Sequence, residues 1–518
     1  MSRYLSAVLA GLRADPGREA LVHQGRRLRH GEVLDAVLRT AHALGALGLG
    51  PGDTVACLTV SSPEAVVTRL AVHLLGGCYL QLQPPLAPAL HATVLRAVAP
   101  RALIYSPDLQ TPALATLALI DPPLVLSLGP ARPGLPTRDL LALAATAPTA
   151  APAPAAVPEH APAQIMYTSG TTGTPKAAVH SYATIAEWLR MERWLHGPEP
   201  RRFLLHGSLE SVAGENVFWT LAAGGTAVLL DDATPGRILE TAAQEEISYF
   251  LCYPNLLAEL VAECGGRPPR LPSLRQIEYG SAPASAHTVR DALGAFGPRL
   301  LHVYGQRECG FLTTLGTAEH TPELLRSAGR PFPGVHLEIR AADGSPLPPD
   351  HVGEIWARTP AVMTGYLHRP EATAEVLRDG WLRTGDLGRL DPEGRLLLAD
   401  RADDMIIVDG YNVYTSEVEE ALHGHPAVTR AAALGLPDER TGETVHAAVV
   451  AHAPVTVQEL RALVRRTLGP FHEPTTIALL RALPLTAKGH PDRHALRAAA
   501  LTSRQTPPYS PNHDSTTR

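Results

Sequence analysis

Apolar runs of strand length and amphipathic stretches of helical period alternate through the first quarter of the chain. That alternation limits the fold more than any single residue does. Ala20–Val22 and Val55–Val60 read as buried strands. Helical spacing runs through Leu34–Leu47 and Pro63–Leu75, and Gly50-Pro51-Gly52 punctuates between them. Residues 17–130 therefore predict βαβ units around a largely parallel, buried sheet. Thr226–Leu230, Ile247–Cys252 and Arg275–Tyr279 continue the pattern. Between 334 and 400 the character changes, and Val335–Ile339, Glu354–Ala357 and Arg395–Ala399, joined by Gly- and Asp-rich turns, predict a small antiparallel β unit.

After Arg401 the chain restarts as strand Met405–Val408, helix Ser416–Leu422, strands Ala431–Leu436 and Thr444–Val450, and helix Val457–Arg466. A length of 518 residues exceeds what one core serves, so more than one domain is expected. The fold class is α/β. A large N-terminal domain over 1–402 has mixed, mainly parallel sheets plus the antiparallel unit. A small α+β domain follows over 403–501, with a disordered tail over 502–518. The Ala/Pro-rich stretch 145–163 predicts a surface linker.

Composition excludes several partners. A net charge of −6 with no basic stripe gives no footprint for nucleic acid. No Lys/Arg cluster precedes an apolar helix, and the N-terminal apolar run is too short for a signal peptide or a span, so no membrane attachment is expected. Five widely spaced cysteines suit a reducing cytoplasm and argue against a disulfide framework or a zinc site. Arginine is used almost everywhere: only Lys176 and Lys488 are lysine among 45 basic residues. A lysine kept against that bias points to a need for a compact, mobile ammonium.

Lys176 closes the run Tyr167-Thr-Ser-Gly-Thr-Thr-Gly-Thr-Pro-Lys176. Gly170 and Gly173 let backbone N–H groups approach a polyphosphate, and the hydroxyls of Thr168, Ser169, Thr171 and Thr172 offer further donors. Pro175 and Ala177 stand where a P-loop needs Gly and Ser/Thr. Further motifs follow in order: Gly280-Ser-Ala-Pro283, Tyr304-Gly-Gln-Arg-Glu308, Gly353-Glu-Ile355, Gly365-Tyr366, Trp381-Leu-Arg-Thr-Gly-Asp386, Asp400-Arg-Ala-Asp-Asp-Met405 and Gly410-Tyr-Asn-Val-Tyr-Thr-Ser-Glu-Val-Glu419. Together they resemble the adenylate-forming superfamily of acyl-CoA synthetases, peptide-synthetase adenylation domains and luciferases.

The resemblance implies ATP and Mg²⁺ as cofactors. It places Thr168, Ser169, Gly170, Thr171, Thr172, Gly173, Gly280, Ser281, Ala282, His302, Tyr304, Gly305, Asp386 and Arg401 around the nucleotide. Asp386 would accept the ribose hydroxyls, Tyr304 stack on adenine, Arg401 contact the ribose and Glu308 hold Mg²⁺. Asp403 would be the hinge of a mobile small domain that rotates between adenylate formation and transfer to a thiol.

Three departures from the family pattern bear on substrate. The C-terminal motif reads Pro484-Leu-Thr-Ala-Lys488-Gly-His490-Pro-Asp-Arg493, with His490 in the usual lysine place and Lys488 two residues earlier. Arg307 stands where Thr is usual and could clamp the α-phosphate. Lys488, His490, Arg307 and Lys176 are thus the catalytic candidates. Near the acid pocket the family's His-Val-x-Gly pattern reads Ser211-Val-Ala-Gly214, with Ser211 in the His place and Glu210 and Glu215 on either side. Two carboxylates there suit an amine or face solvent.

The leading expectation is an ATP-dependent ligase that activates a small acyl or aryl acid for CoA, a free carrier protein or an amine. Two alternatives accompany it: a diazotase-type enzyme that activates nitrite for an aryl amine, and a degenerate nucleotide-binding homologue.

Overall fold

The computed structural model describes residues 1–84, 87–130, 137–150, 157–168, 176–281, 284–401, 404–408, 411–438, 442–486 and 490–505. Three sheets organise them. The largest begins as a parallel set in which Arg202–Leu205 and Leu300–Gln306 join four strands that the sequence predicts. Glu19–His23, Thr226–Leu229, Arg202–Leu205, Tyr249–Cys252, Gln276–Gly280 and Leu300–Gln306 lie side by side in that order. The sheet then turns antiparallel through Gly310–Leu315, Ser327–Pro331, Leu396–Arg401, Trp381–Leu390, Gly353–Arg358 and His336–Arg340. The expected small antiparallel β unit is an extension of the main sheet. Gly310–Leu315 and Ser327–Pro331, two strands absent from the sequence reading, join the halves.

A second sheet carries Cys78–Gln81, Thr54–Leu58, Ala102–Tyr105, Val125–Ser127 and Arg138–Asp139 in parallel. Pro162–Thr168 is parallel to Cys78–Gln81, and Lys176–Ser181 and Gly365–Tyr366 are added antiparallel at that edge. The stretch 145–163 does not divide one domain from another, because the chain that leaves it at Pro162 rejoins the same sheet. Residues 151–156 of that stretch lie outside the described residues.

Helices Arg3–Ala14, His30–Ala46, Pro63–Leu74, Tyr182–His196 and Val212–Ala222 fill the space between the two sheets. One apolar core draws Val55, Cys57 and Ile104 from one sheet and Phe203, Ala227 and Tyr249 from the other. Local chemistry sets the helix starts. Ser62 accepts from Ala65 N ahead of Pro63, and Thr456 and Glu459 form a reciprocal capping box.

The third sheet lies wholly beyond residue 404. It orders Tyr411–Val413, Ile406–Val408, Gly442–Ala451 and Val428–Asp438, with Thr476–Leu479 beside Gly442–Ala451, over its own apolar clusters. Its last helix, Arg493–Gln505, runs past Thr502, where the sequence suggested a tail. Asp403, the expected hinge, lies outside the described residues, as do 506–518.

Candidate active site

The site forms where the antiparallel extension curls over the end of the parallel strands. Asp386, on Trp381–Leu390, accepts hydrogen bonds at Oδ2 from the Tyr304 hydroxyl (2.7 Å) and Gln306 Nε2 (2.6 Å). Those two donors come from Leu300–Gln306, four strand steps away in sheet order. Laid flat, four steps span about 19 Å, so the 2.7 Å contact requires that the sheet roll up like a segment of a barrel. Gln306 also donates to Thr384 O, and Thr384 Oγ1 caps the Asp386 N–H, which fixes the carboxylate from two sides. Burial, then the Asp386 charge, holds the Tyr304 phenol well above its ordinary pKa. The strand register sets Arg401 opposite Asp386.

Close backbone approach shapes the neighbouring turn. A Cβ on Gly280 would stand 2.1 Å from Val303 O, and Ser281 after it has φ +63°. Gly305 is packed against the neighbouring strand at Gly310. His302 is buried against the Tyr279 ring at 4.7 Å, and burial pushes its pKa down to about 3. Its ring is therefore neutral and packed in the wall, a placement that the sequence did not indicate.

On the other flank, the Tyr366 hydroxyl donates to Glu308 Oε1 at 2.9 Å, and the Lys176 ammonium lies 5.2 Å from the Tyr366 ring centroid. Tyr366 links the two chemically pointed residues, although its motif suggested no role for it. Glu308 supplies hard carboxylate oxygens, which fit a Mg²⁺ ion carried on ATP phosphates. Thr168 ends its strand here. Ser169, Gly170, Thr171, Thr172, Gly173, Ala282 and Lys488 lie outside the described residues.

Arg307 does not face solvent. It donates to Tyr167 O and stands 3.5 Å from Glu210 Oε2, an oxygen that also accepts from Gln83 Nε2 at 2.9 Å. The Arg307 and Glu210 side chains are 11% and 16% exposed, a half-buried pair at the site's rim. Tyr253 closes the same corner, its phenol raised mainly by burial. Against it sits His490 of the small domain, with ring centroids 6.1 Å apart. Thr486 N–H donates to His490 O, so the described residues flanking Lys488 are drawn together over the large domain. Arg430–Glu259 and the Glu420 carboxylate on Ala286 N–H hold the small domain there.

The four residues expected in the acid pocket part company. Only Glu210 joins the cluster. Ser211 caps helix Val212–Ala222: its Oγ accepts from Gly214 N–H at 3.2 Å and donates to Ser208 O at 2.6 Å. Gly214 is dictated by packing, because a Cβ there would meet Leu209 O at 2.2 Å. Glu215 points into the core, where both oxygens accept from Arg69 at 2.8 and 2.6 Å and Oε1 accepts from Gln164. The Arg69 guanidinium lies 4.0 Å over the Phe218 ring. Glu215 therefore serves an internal ion pair and faces neither an amine nor solvent. Helical geometry explains the split, since a few residues past the cap the side chain has swung to the inner face.

Gln83, Tyr253, Gln306 and Tyr366 are site residues to which the sequence assigned no role. Gln306 and Tyr366 lay inside motifs already singled out. The Gln83–Glu210 contact joins residues 127 apart and leaves no local signal.

The chain matches the AMP-binding enzyme family over residues 10–367 and the C-terminal domain of AMP-binding enzymes over 417–490. It is 30% identical to the medium/long-chain-fatty-acid–CoA ligase FadD8 of Mycobacterium tuberculosis, over 95% of this chain and 89% of that protein. It is 33% identical to the indoleacetate–CoA ligase of Aromatoleum aromaticum, over 93% and 94%. Its fold superposes on the amide bond synthetase McbA from Marinactinospora thermotolerans with a TM-score of 0.89 at 38% identity, covering 96% of this chain and 99% of the other.

Proposed function

Because the chain belongs to the AMP-binding enzyme family, as an AMP-forming ligase, we propose that it activates a small acyl or aryl acid with ATP and passes the acyl group to an amine. A carboxylate oxygen attacks the α-phosphorus, the bond to pyrophosphate breaks, and an acyl-adenylate forms. An amine nitrogen then attacks the acyl carbon, AMP leaves with the bonding pair, and the nitrogen sheds a proton. Asp386, Tyr304 and Gln306 orient the nucleoside, while Lys176 and Arg307 neutralise phosphate charge. Glu308 would hold Mg²⁺, which supplies Lewis-acid charge to the phosphates.

The observation that carries the amine reading is Glu210. It is a carboxylate at the rim of the acid side, held by Arg307 and Gln83. Such a group repels an acid but attracts an ammonium and can take its proton. When the phosphates draw Arg307 away, Glu210 is released to face the nucleophile. The likeness to an amide bond synthetase supports the same choice.

Pyrophosphate exchange with a panel of fatty, aryl and amino acids identifies the acid. Amines and CoA then compete for the adenylate, with amide and thioester read separately. Glu210→Gln is expected to leave exchange within a few-fold and to slow amide formation by about 10²-fold. Equal loss in both half-reactions, or thioester as the sole product, rejects the amine reading. AMP release with a diazo absorbance from nitrite plus an aminoaryl acid would assign nitrite as the activated anion instead.

A further inference from the structure

A second polar cluster lies between helix Tyr182–His196 and strand Gln276–Gly280 of the main sheet. Glu192 and His196 stand one turn apart on helix Tyr182–His196, and Glu278 comes from strand Gln276–Gly280. All three side chains are at most 1% exposed. His196 Nε2 lies 3.2 Å from Glu192 Oε1 and 3.6 Å from Glu278 Oε2. One ligating atom from each residue falls within 4.8 Å of the other two.

The far nitrogen of His196 fixes what the near one presents. Nδ1 is 2.7 Å from Gln276 Oε1, and an amide oxygen only accepts, so Nδ1 carries hydrogen. In the neutral ring Nε2 is then a lone pair, aimed at two carboxylates. Among the described residues neither oxygen of Glu278 has a hydrogen-bond donor, nor has Glu192 Oε2. Arg201 reaches Glu192 Oε1 alone, at 3.3 Å, with its guanidinium over Tyr249. Acceptors thus converge on a buried point, and Glu278 meets no donor there, an arrangement that costs free energy unless something positive occupies it.

The spacing says what fits. Ligands about 2.1 Å from a tetrahedral ion stand about 3.4 Å apart; the two separations from His196, 3.2 and 3.6 Å, bracket that value, and all three ligand atoms lie within 4.8 Å of one another. An imidazole oriented by an outer amide and flanked by carboxylates is a donor set that suits divalent first-row metals. We propose that Glu192, His196 and Glu278 bind a divalent metal ion of the Zn²⁺ class as a buried site with three protein ligands. The ion ties helix Tyr182–His196 to the strand that ends at Gly280. It is separate from any ion on ATP at Glu308, and because it uses no cysteine, cysteine spacing could not reveal it.

The untagged full-length protein, expressed with zinc in the medium and dialysed without ATP or Mg²⁺, should retain about one equivalent of zinc by elemental analysis. Glu278→Gln should lower retention by more than tenfold, and Gln276→Leu by about 10- to 100-fold in affinity, because it frees the imidazole from its outer partner. Glu308→Gln should keep the full equivalent. Wild-type protein with less than about a tenth of an equivalent overturns the site and assigns the cluster to a proton held on a carboxyl against the neutral imidazole, since burial raises Glu192 and Glu278 and lowers His196. Undiminished zinc in soluble Glu278→Gln overturns it as well. The wild-type measurement decides the matter even if a variant fails to fold.

Discussion

At the scale of single residues, the cation that meets the α-phosphate decides how adenylation works. Arg307 is already engaged by Tyr167 O and Glu210, whereas the residues beside Lys488 are held over the same corner by the His490–Tyr253 contact. A mobile ammonium can follow the phosphorus into its crowded transition state; a clamped guanidinium serves the ground state better. Lys488→Ala is therefore expected to cut the rate of pyrophosphate exchange about 10²- to 10³-fold. Arg307→Thr should act mainly on KM for ATP, raising it about tenfold. An unchanged rate in Lys488→Ala would move the catalytic charge to Arg307. Asp386, Tyr304 and Glu308 were legible in the sequence because each sits in a short ordered motif. Gln83 and Tyr253 were not, since their place depends on which distant loops the fold brings together.

Single elements explain what the sequence misassigned. Ser211 and Glu215 belong to one helix, and the same periodicity that makes it amphipathic puts Ser211 at the cap and Glu215 in the core. Ser211→Ala should destabilise the protein by about 1 kcal/mol, seen as a shifted denaturant midpoint, with adenylation of a saturating acid nearly unchanged. Glu215→Gln leaves the Arg69 guanidinium buried without its counter-charge, and loss of one partner of such a pair costs about 3–5 kcal/mol. A midpoint within experimental error of wild type would show that Gln164 alone satisfies Arg69. Three of the strands between 334 and 400 were legible in the sequence, but Trp381–Leu390 was not read as a strand. Their membership in the main sheet was not, because it runs through Gly310–Leu315 and Ser327–Pro331, whose mixed polarity resembles a loop.

The whole molecule has an acid limit built into its core. His73, His180 and His302 are all buried, and burial pushes each pKa from 6.5 to about 3. The folded state holds these rings neutral, while the unfolded chain protonates them near pH 6.5. Their contribution is full above pH 6.5 and drains as pH falls towards 3. Each ring costs about 1.4 kcal/mol per pH unit well below 6.5, so denaturant unfolding at pH 7 and pH 5.5 should differ by several kcal/mol. His302→Phe should shrink that difference, and a pH-independent midpoint would show that the rings ionise inside the fold.

The rolled sheet has a mechanical consequence. Its curl is fastened by the side chains of Tyr304, Gln306 and Asp386, across strands that share no backbone pairing with one another. Those are also the groups that the nucleoside would engage, so an occupied pocket would bridge the seam and an empty one would leave it to the hydrogen bonds of Tyr304 and Gln306 to Asp386 and Thr384. Amide hydrogens along 381–390 then become a gauge of occupancy, exchanging slowly when the seam is bridged and faster when it is bare. On the proposed roles, holding the ribose and keeping the sheet closed would be the same task.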